Sequence, residues 1–266
     1  MTRPFLAEGR EGGIVTLTMN SPEDRNALSR ADQCTEFVEA FSRINADETV
    51  KVVILTGAGT AFCAGGNIKH MKTHEGFMAG NASEVGERYR RTLQQVALSL
   101  HGLEVPVIAA VNGHAMGAGL DIACMCDIRI AAARASFAET FVRLGIISGI
   151  GGAWFLPRVV GKAKAAELSF SGKVISAAEA VSCGLVTEVV ADDALMDRAM
   201  ALAAEISRNS GIAVRLSKRL LRLSEACDLK SSLDATAALQ ALAHQTPEHE
   251  HAVESYLAEQ QARTAR

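Results

Sequence analysis

Residues 50–56 and 105–111 are apolar almost without a break, and a turn ends each run, Gly57-Ala58-Gly59 after the first and Asn112-Gly113 after the second. A strand with one wet face alternates polar and apolar side chains. A strand without that alternation is covered on both faces, as inside a parallel sheet. The same grammar returns at residues 127–131 and 185–190, whereas residues 13–19 alternate and read as a strand with one buried face, turned by Asn20-Ser21-Pro22-Glu23-Asp24. Between strands the spacing becomes helical. Phe37, Val38, Phe41 and Ile44 share one face of a helix that Ser29 is expected to cap. Ser176-Ala177-Ala178-Glu179 has capping-box spacing, and Gly184 is placed to close that short helix. Strands alternating with helices imply an α/β fold. From Ala194 onward only helical spacing remains, with Leu202, Ile206, Leu216, Leu220, Leu221, Leu239 and Leu242 in register. The expected division is therefore an α/β core over residues 1–190 and an all-helical region over 191–266, whose apolar faces call for another subunit.

Composition narrows the function classes. The chain has 266 residues, 48% hydrophobic and 21% charged, which is ordinary for a folded protein and excludes disorder or a fibrous repeat. Its net charge is −3 without a block of like charges, where a nucleic-acid binder would show a basic stripe. No stretch approaches the roughly 20 apolar residues of a membrane helix, and residues 1–13 lack the apolar centre of a signal peptide. Six cysteines are too sparse for a disulfide scaffold in a chain this long. Cys124 and Cys126, two apart on an expected helix, point to different faces and make a poor metal pair. A cytoplasmic protein with reduced thiols and no metal, binding neither nucleic acid nor membrane, is the expectation.

Two glycine-rich loops carry the chemistry. The first is Ala61-Phe62-Cys63-Ala64-Gly65-Gly66-Asn67-Ile68-Lys69, and the second is Asn112-Gly113-His114-Ala115-Met116-Gly117-Ala118-Gly119-Leu120-Asp121. Each stands where a strand gives way to a helix, so free backbone N–H groups and a helix dipole favour negative charge there. A dinucleotide fingerprint fails in all three candidate places, because Phe62, Ile122 and Trp154 stand where the third glycine or an alanine is required. A nucleotide-triphosphate loop fails too, since Gly161-Lys162 is followed by Ala163 and Gly172-Lys173 by Val174. If the second helix begins near Gly117, the Ala118 N–H is one of its unpaired donors and Asp121 lies one turn on, on the same face. A donor and a carboxylate then share one place, which suits a reaction that builds negative charge on an oxygen while a proton moves on a nearby carbon, as when a thioester becomes an enolate. On spacing alone, Asp121 reads equally as a first-turn acid favoured by the helix dipole.

In these loops, and in Arg25-Asn26-Ala27-Leu28-Ser29, Cys126-Asp127-Ile128-Arg129, Leu156-Pro157-Arg158-Val159-Val160-Gly161 and the Ser171-Gly172 to Gly184-Leu185-Val186 stretch, the sequence resembles the crotonase (enoyl-CoA hydratase/isomerase) superfamily from about Val15 to Tyr256. The resemblance implies a crotonase-like spiral of ββα units, a C-terminal helical region that builds homotrimers or hexamers, and acyl-CoA substrates, with coenzyme A part of the substrate and no separate cofactor. It implies an oxyanion hole made by the amides of Gly66 and Ala118 and places Asp121 at the first of two catalytic glutamates of hydratases. Arg25, Ala27, Ala64, Gly66, Asn67, Ile68, Lys69, Gly117 and Phe141 become the expected substrate and CoA contacts.

The departures shape the reaction. The second hydratase glutamate falls on Phe141, which transfers no proton, and Glu139 two residues earlier is either its substitute or a surface acid. Ser148, Gly149 and Ile150 occupy the stretch where dehalogenase-like members and dienoyl-CoA isomerases carry a further acid, and Glu259-Gln260-Gln261 replaces the C-terminal Lys-Arg that often faces the CoA phosphates. His70 and His74, four apart, would share a helix face, without an apparent third metal ligand, and Cys63 reads as a packing residue. With one motif-matched acid, double-bond isomerisation ranks ahead of hydration by Asp121 with Glu139 or water. A catalytically impaired acyl-CoA-binding relative is the alternative of another class.

Overall fold

The computed structural model describes residues 4–264. The chain opens with the hairpin of β1 (Leu6–Glu11) and β2 (Ile14–Met19), then α1 (Ala31–Ala46), β3 (Val52–Gly57) and β4 (Ala61–Cys63). Next come α2 (Ile68–Thr73), α3 (Ala82–Arg91), α4 (Leu93–His101), β5 (Val107–Val111) and β6 (His114–Met116). The helix α5 (Ala118–Met125) leads to β7 (Ile128–Ala132), β8 (Ser136–Ala138), α6 (Gly152–Ser171), β9 (Ile175–Ser176), α7 (Ala177–Ser182) and β10 (Glu188–Val190). Four helices follow, α8 (Leu195–Ser207), α9 (Gly211–Ser224), α10 (Leu229–His244) and α11 (Pro247–Thr264).

Two sheets form. The larger has the order β1-β2-β3-β5-β7-β10, and only its β1–β2 pair is antiparallel; the smaller has the order β4-β6-β8-β9, antiparallel only between β8 and β9. Every residue of β3 and β5 is buried, as their unbroken apolar runs require. Their side chains divide by the period of two. Val53, Leu55, Val107, Ala109 and Val111 join the core containing Phe37, Phe41, Val96 and Leu100 of α1 and α4. Val52, Ile54, Ile108 and Ala110 face the other way, against Leu195, Ala199 and Ala203 of α8.

Thus α8 packs on the sheet as part of the core. Beyond it, α9 is tied down by Lys218, whose buried ammonium donates to Val105 O at 2.7 Å and to Asp127 Oδ2 at 2.5 Å. The last two helices, α10 and α11, bury no residue. Leu229, Leu233, Leu242, Tyr256 and Leu257 are exposed along them. Among the described residues no helix is long and apolar enough to cross a membrane.

Two local expectations are settled by capping. α7 begins with the Ser176–Glu179 capping box and is followed by Gly184 at φ +75. Ser29 does not cap α1. Buried Gln33 reaches back instead, and its Oε1 accepts the amides of Ser29 and Arg30 at 2.8 Å each.

Candidate active site

β4 and β6 are parallel neighbours, so the two glycine loops they release leave the smaller sheet side by side. The contact between them is close. Gly65, at φ +85, passes Met116 so tightly that a Cβ would stand 2.5 Å from the Met116 carbonyl oxygen, and a side chain there would push the loops apart. Leu28 N donates to Gly65 O at 2.8 Å and Ala64 N to Arg25 O at 3.0 Å, which lays the Arg25–Ala27 segment along the first loop. Fully buried Asn26 holds that segment, donating to Ala58 O at 2.9 Å and Ala61 O at 2.8 Å. Sequence reasoning singled out its neighbours and passed over Asn26, whose role depends on carbonyls more than thirty positions away.

An open cavity of about 770 Å³ lies along these loops. Seven of the sequence-predicted contacts line it together: Arg25, Ala27, Ala64, Gly66, Asn67, Ile68 and Lys69. Glu23, Asp24, His114 and Arg143 add charge and hydrogen-bonding groups to its wall. Gly117, Ala118, Phe141, Asp121 and Glu139 stand outside this lining. Half-buried Phe141 packs on the core, its ring beside Gly117. Ala118 is the first residue of α5, and among the described residues its amide and that of Gly66 have no hydrogen-bond partner.

Asp121 is 0% exposed, held one turn into α5 with its amide on Gly117 O at 3.0 Å. Glu139 is buried beside it at 3% exposure. A Cβ on Gly152 would stand 2.2 Å from Asp121 Oδ1 and 2.7 Å from Glu139 Oε1, so the two carboxyls face each other at the start of α6. The reading of Glu139 as a surface acid is therefore corrected. In a regular strand or helix a two-residue shift re-aims a side chain, but Glu139 belongs to neither. At φ −87 and ψ 76 it links β8 to a 3-10 turn over Thr140–Leu144, and this irregular step turns its carboxyl inward.

Ser148 completes the cluster, its Oγ donating to Asp121 Oδ2 at 2.6 Å and accepting the Gly152 amide at 2.8 Å. Sequence reasoning noted position 148 only for lacking an acid. The available signal was a serine ahead of a glycine-rich helix start. Asp121 Oδ1 and both Glu139 oxygens have no donor other than a proton of the pair itself. Burial pushes both carboxyls above the usual range. Glu139 rises further because the Asp121 charge adds to burial, while Asp121 is held back by its neighbours Glu139, Ser148 and the Gly152 amide. Two facing buried acids of this kind hold one proton between them and offer a base and an acid at one place.

The histidine pair fares differently. α2 ends at Thr73 and His74 caps it in the left-handed conformation at φ 54, so His70 and His74 do not share a helix face. Burial pushes the Cys63 thiol up to about 11, in keeping with a packing residue.

The model of the family described as "Enoyl-CoA hydratase/isomerase" matches residues 9–264. The chain is 34% identical over 254 residues to a 1,2-epoxyphenylacetyl-CoA isomerase of Escherichia coli, covering 96% of this chain and 95% of the relative. It is 40% identical over 225 residues to a short-chain-enoyl-CoA hydratase of Clostridium acetobutylicum, covering 84% and 83%. Its fold is similar to the crystal structure of an enoyl-CoA hydratase from Bacillus anthracis, with a TM-score of 0.89, 32% identity and 96% of each chain covered.

Proposed function

The chain belongs to the enoyl-CoA hydratase/isomerase family, and from that premise we propose that it moves the double bond of an enoyl-CoA thioester, with Asp121 carrying the proton. The observation that carries this reading is that the buried carboxyls of Asp121 and Glu139 face each other, with one outside side-chain donor, Ser148. Asp121 takes a proton from the α carbon of a 3-enoyl-CoA, and the electron pair moves onto the thioester oxygen. The amides of Gly66 and Ala118 stabilise that oxygen as the dienolate forms; such donors are worth about 10²–10³ in rate. Asp121 then returns the proton to the γ carbon and the 2-enoyl thioester results. Glu139 keeps its own proton through both transfers and hydrogen-bonds Asp121 while that residue is ionised.

Arg25, Ala27, Asn67, Ile68 and Lys69 along the open cavity are the proposed contacts of the CoA moiety, with Ala64, Gly117 and Phe141 nearer the thioester. A buried acid pair with unpartnered oxygens is costly to keep, which supports an enzyme over a passive acyl-CoA binder. The exposed apolar residues of α10 and α11 support a homotrimer or a hexamer, and six free cysteines support a reducing, cytoplasmic setting; an enoyl-CoA substrate would place the reaction in fatty acid metabolism.

Hydration is the second reading, and one observation favours it. Glu139 beside Asp121 restores a second carboxyl, so that one acid can deprotonate water while the other protonates the α carbon. Offering the enzyme matched 2-enoyl and 3-enoyl substrates and following double-bond migration against 3-hydroxyacyl formation separates the two.

A further inference from the structure

Among the described residues, Ser148 is the only side chain outside the pair that donates to either carboxyl. Because the Gly152 amide already occupies an acceptor side of its Oγ, the single hydroxyl proton is directed to Asp121 Oδ2, 2.6 Å away. Glu139 receives no comparable bond, and both its oxygens are buried without an outside donor. The two acids are alike in chemistry and unequally served.

A hydroxyl donor favours the ionised form of the carboxyl it touches. Two facing carboxyls hold one proton, so the side that receives the donor is the side that gives the proton up. No other side chain near the pair makes this choice; the Gly152 amide also favours ionised Asp121, but its 2.8 Å hydrogen bond goes to Ser148 Oγ. Cys124, on the helix that carries Asp121, is kept neutral by burial. Arg129 spends its guanidinium on the carbonyls of Leu185, Ala123 and Cys126. Among the described residues neither acid has a lysine, arginine or histidine in ion-pair contact.

We infer that Ser148 is a positioning residue that assigns the proton within the carboxyl pair, holding Asp121 as the base and leaving Glu139 as the proton-bearing neighbour. A role limited to helix capping differs in what it predicts. Losing a cap lowers stability, but it leaves the ionisation of Asp121 where it was.

The kinetic part of the test rests on the proton-transfer reading above, and the spectroscopic part stands without substrate. In Ser148→Ala the acidic limb of kcat for a 3-enoyl-CoA should move up by about one pH unit or more, because a bond to a charged carboxyl is lost. At neutral pH kcat should fall about tenfold to a hundredfold while KM stays within about threefold, as expected for a misplaced base. Ser148→Thr, which keeps the hydroxyl, should restore the limb. The infrared band of the protonated carboxyl, titrated in the free protein, should show the same shift. If wild type turns over neither enoyl substrate, the proposed reaction fails and the infrared titration alone decides on Ser148. A limb and band that stay in place in Ser148→Ala overturn the inference, however much the rate drops. If that variant does not fold, Ser148→Cys, similar in shape with a weaker donor, must show a partial shift, and no shift in it overturns the inference equally.

Discussion

Asp121 and Glu139 share the space that Gly152 leaves empty: a Cβ at that position would come within 2.2 Å of Oδ1 of the one and 2.7 Å of Oε1 of the other. Gly152→Ala should therefore push the carboxyls apart. The expected result is a loss of about 10²-fold or more in kcat, since misplacing a catalytic group by about 1 Å has that effect. The melting temperature should fall as well, because the methyl group has no room. Steady-state kinetics beside thermal unfolding checks both, and an unchanged kcat would show that the pair takes no part.

The two acids should respond unequally to neutralisation. Asp121→Asn removes the base and should lower turnover by about 10³-fold, with acyl-CoA affinity within a few-fold, because the proposed CoA contacts lie along the open cavity. Glu139→Gln keeps an N–H donor for Asp121 and should cost about threefold in isomerisation. Equal, severe losses in both variants would point to an acid and a base working together, as hydration needs.

Stability should carry the signature of a proton taken up on folding. Glu139 has a folded pKa raised by burial and by the Asp121 charge. Its neutral form is therefore favoured in the fold while the unfolded chain ionises at the ordinary carboxylate value, so the native state holds more protons in that window. Stability is fully present below the unfolded pKa and is lost as pH rises toward the folded one, at up to about 1.4 kcal/mol per pH unit. Denaturant unfolding at pH 5 and pH 8 should thus show Glu139→Gln gaining on wild type as pH rises. A constant difference between the two would mean that Glu139 is ionised in the fold.

Much of this architecture is legible in the sequence because some signals are local. The unbroken apolar runs at β3 and β5 and the Ser176–Glu179 box are each complete within a few residues. Asp121 is legible for the same reason, standing one turn after a glycine helix start. Glu139 is not, because its backbone belongs to no regular element and no periodicity tells where its carboxyl goes. Ser148 is not, because its partner lies 27 positions earlier in the chain. The change of composition near residue 191 is plain in the sequence. That Leu195, Ala199 and Ala203 then cover the second face of the sheet is a tertiary fact that helical spacing alone does not contain.

The last two helices carry a prediction of assembly. Leu229 is 75% exposed and Tyr256 63%, on helices that bury nothing in the protomer. Apolar side chains left exposed in this way are what a subunit interface would cover, and analytical ultracentrifugation at micromolar concentration should show trimers or hexamers. A stable monomer contradicts that assignment.

The central claim is that one proton, carried by Asp121, moves between carbons of the substrate without adding water. It is tested most directly by incubating the enzyme with a 3-enoyl-CoA in ¹⁸O-labelled water and reading the product by mass spectrometry. The expected result is migration of the double bond to the 2-enoyl thioester with no label gained. Efficient appearance of ¹⁸O in a 3-hydroxyacyl-CoA product would contradict it and make the Asp121–Glu139 pair a water-activating one.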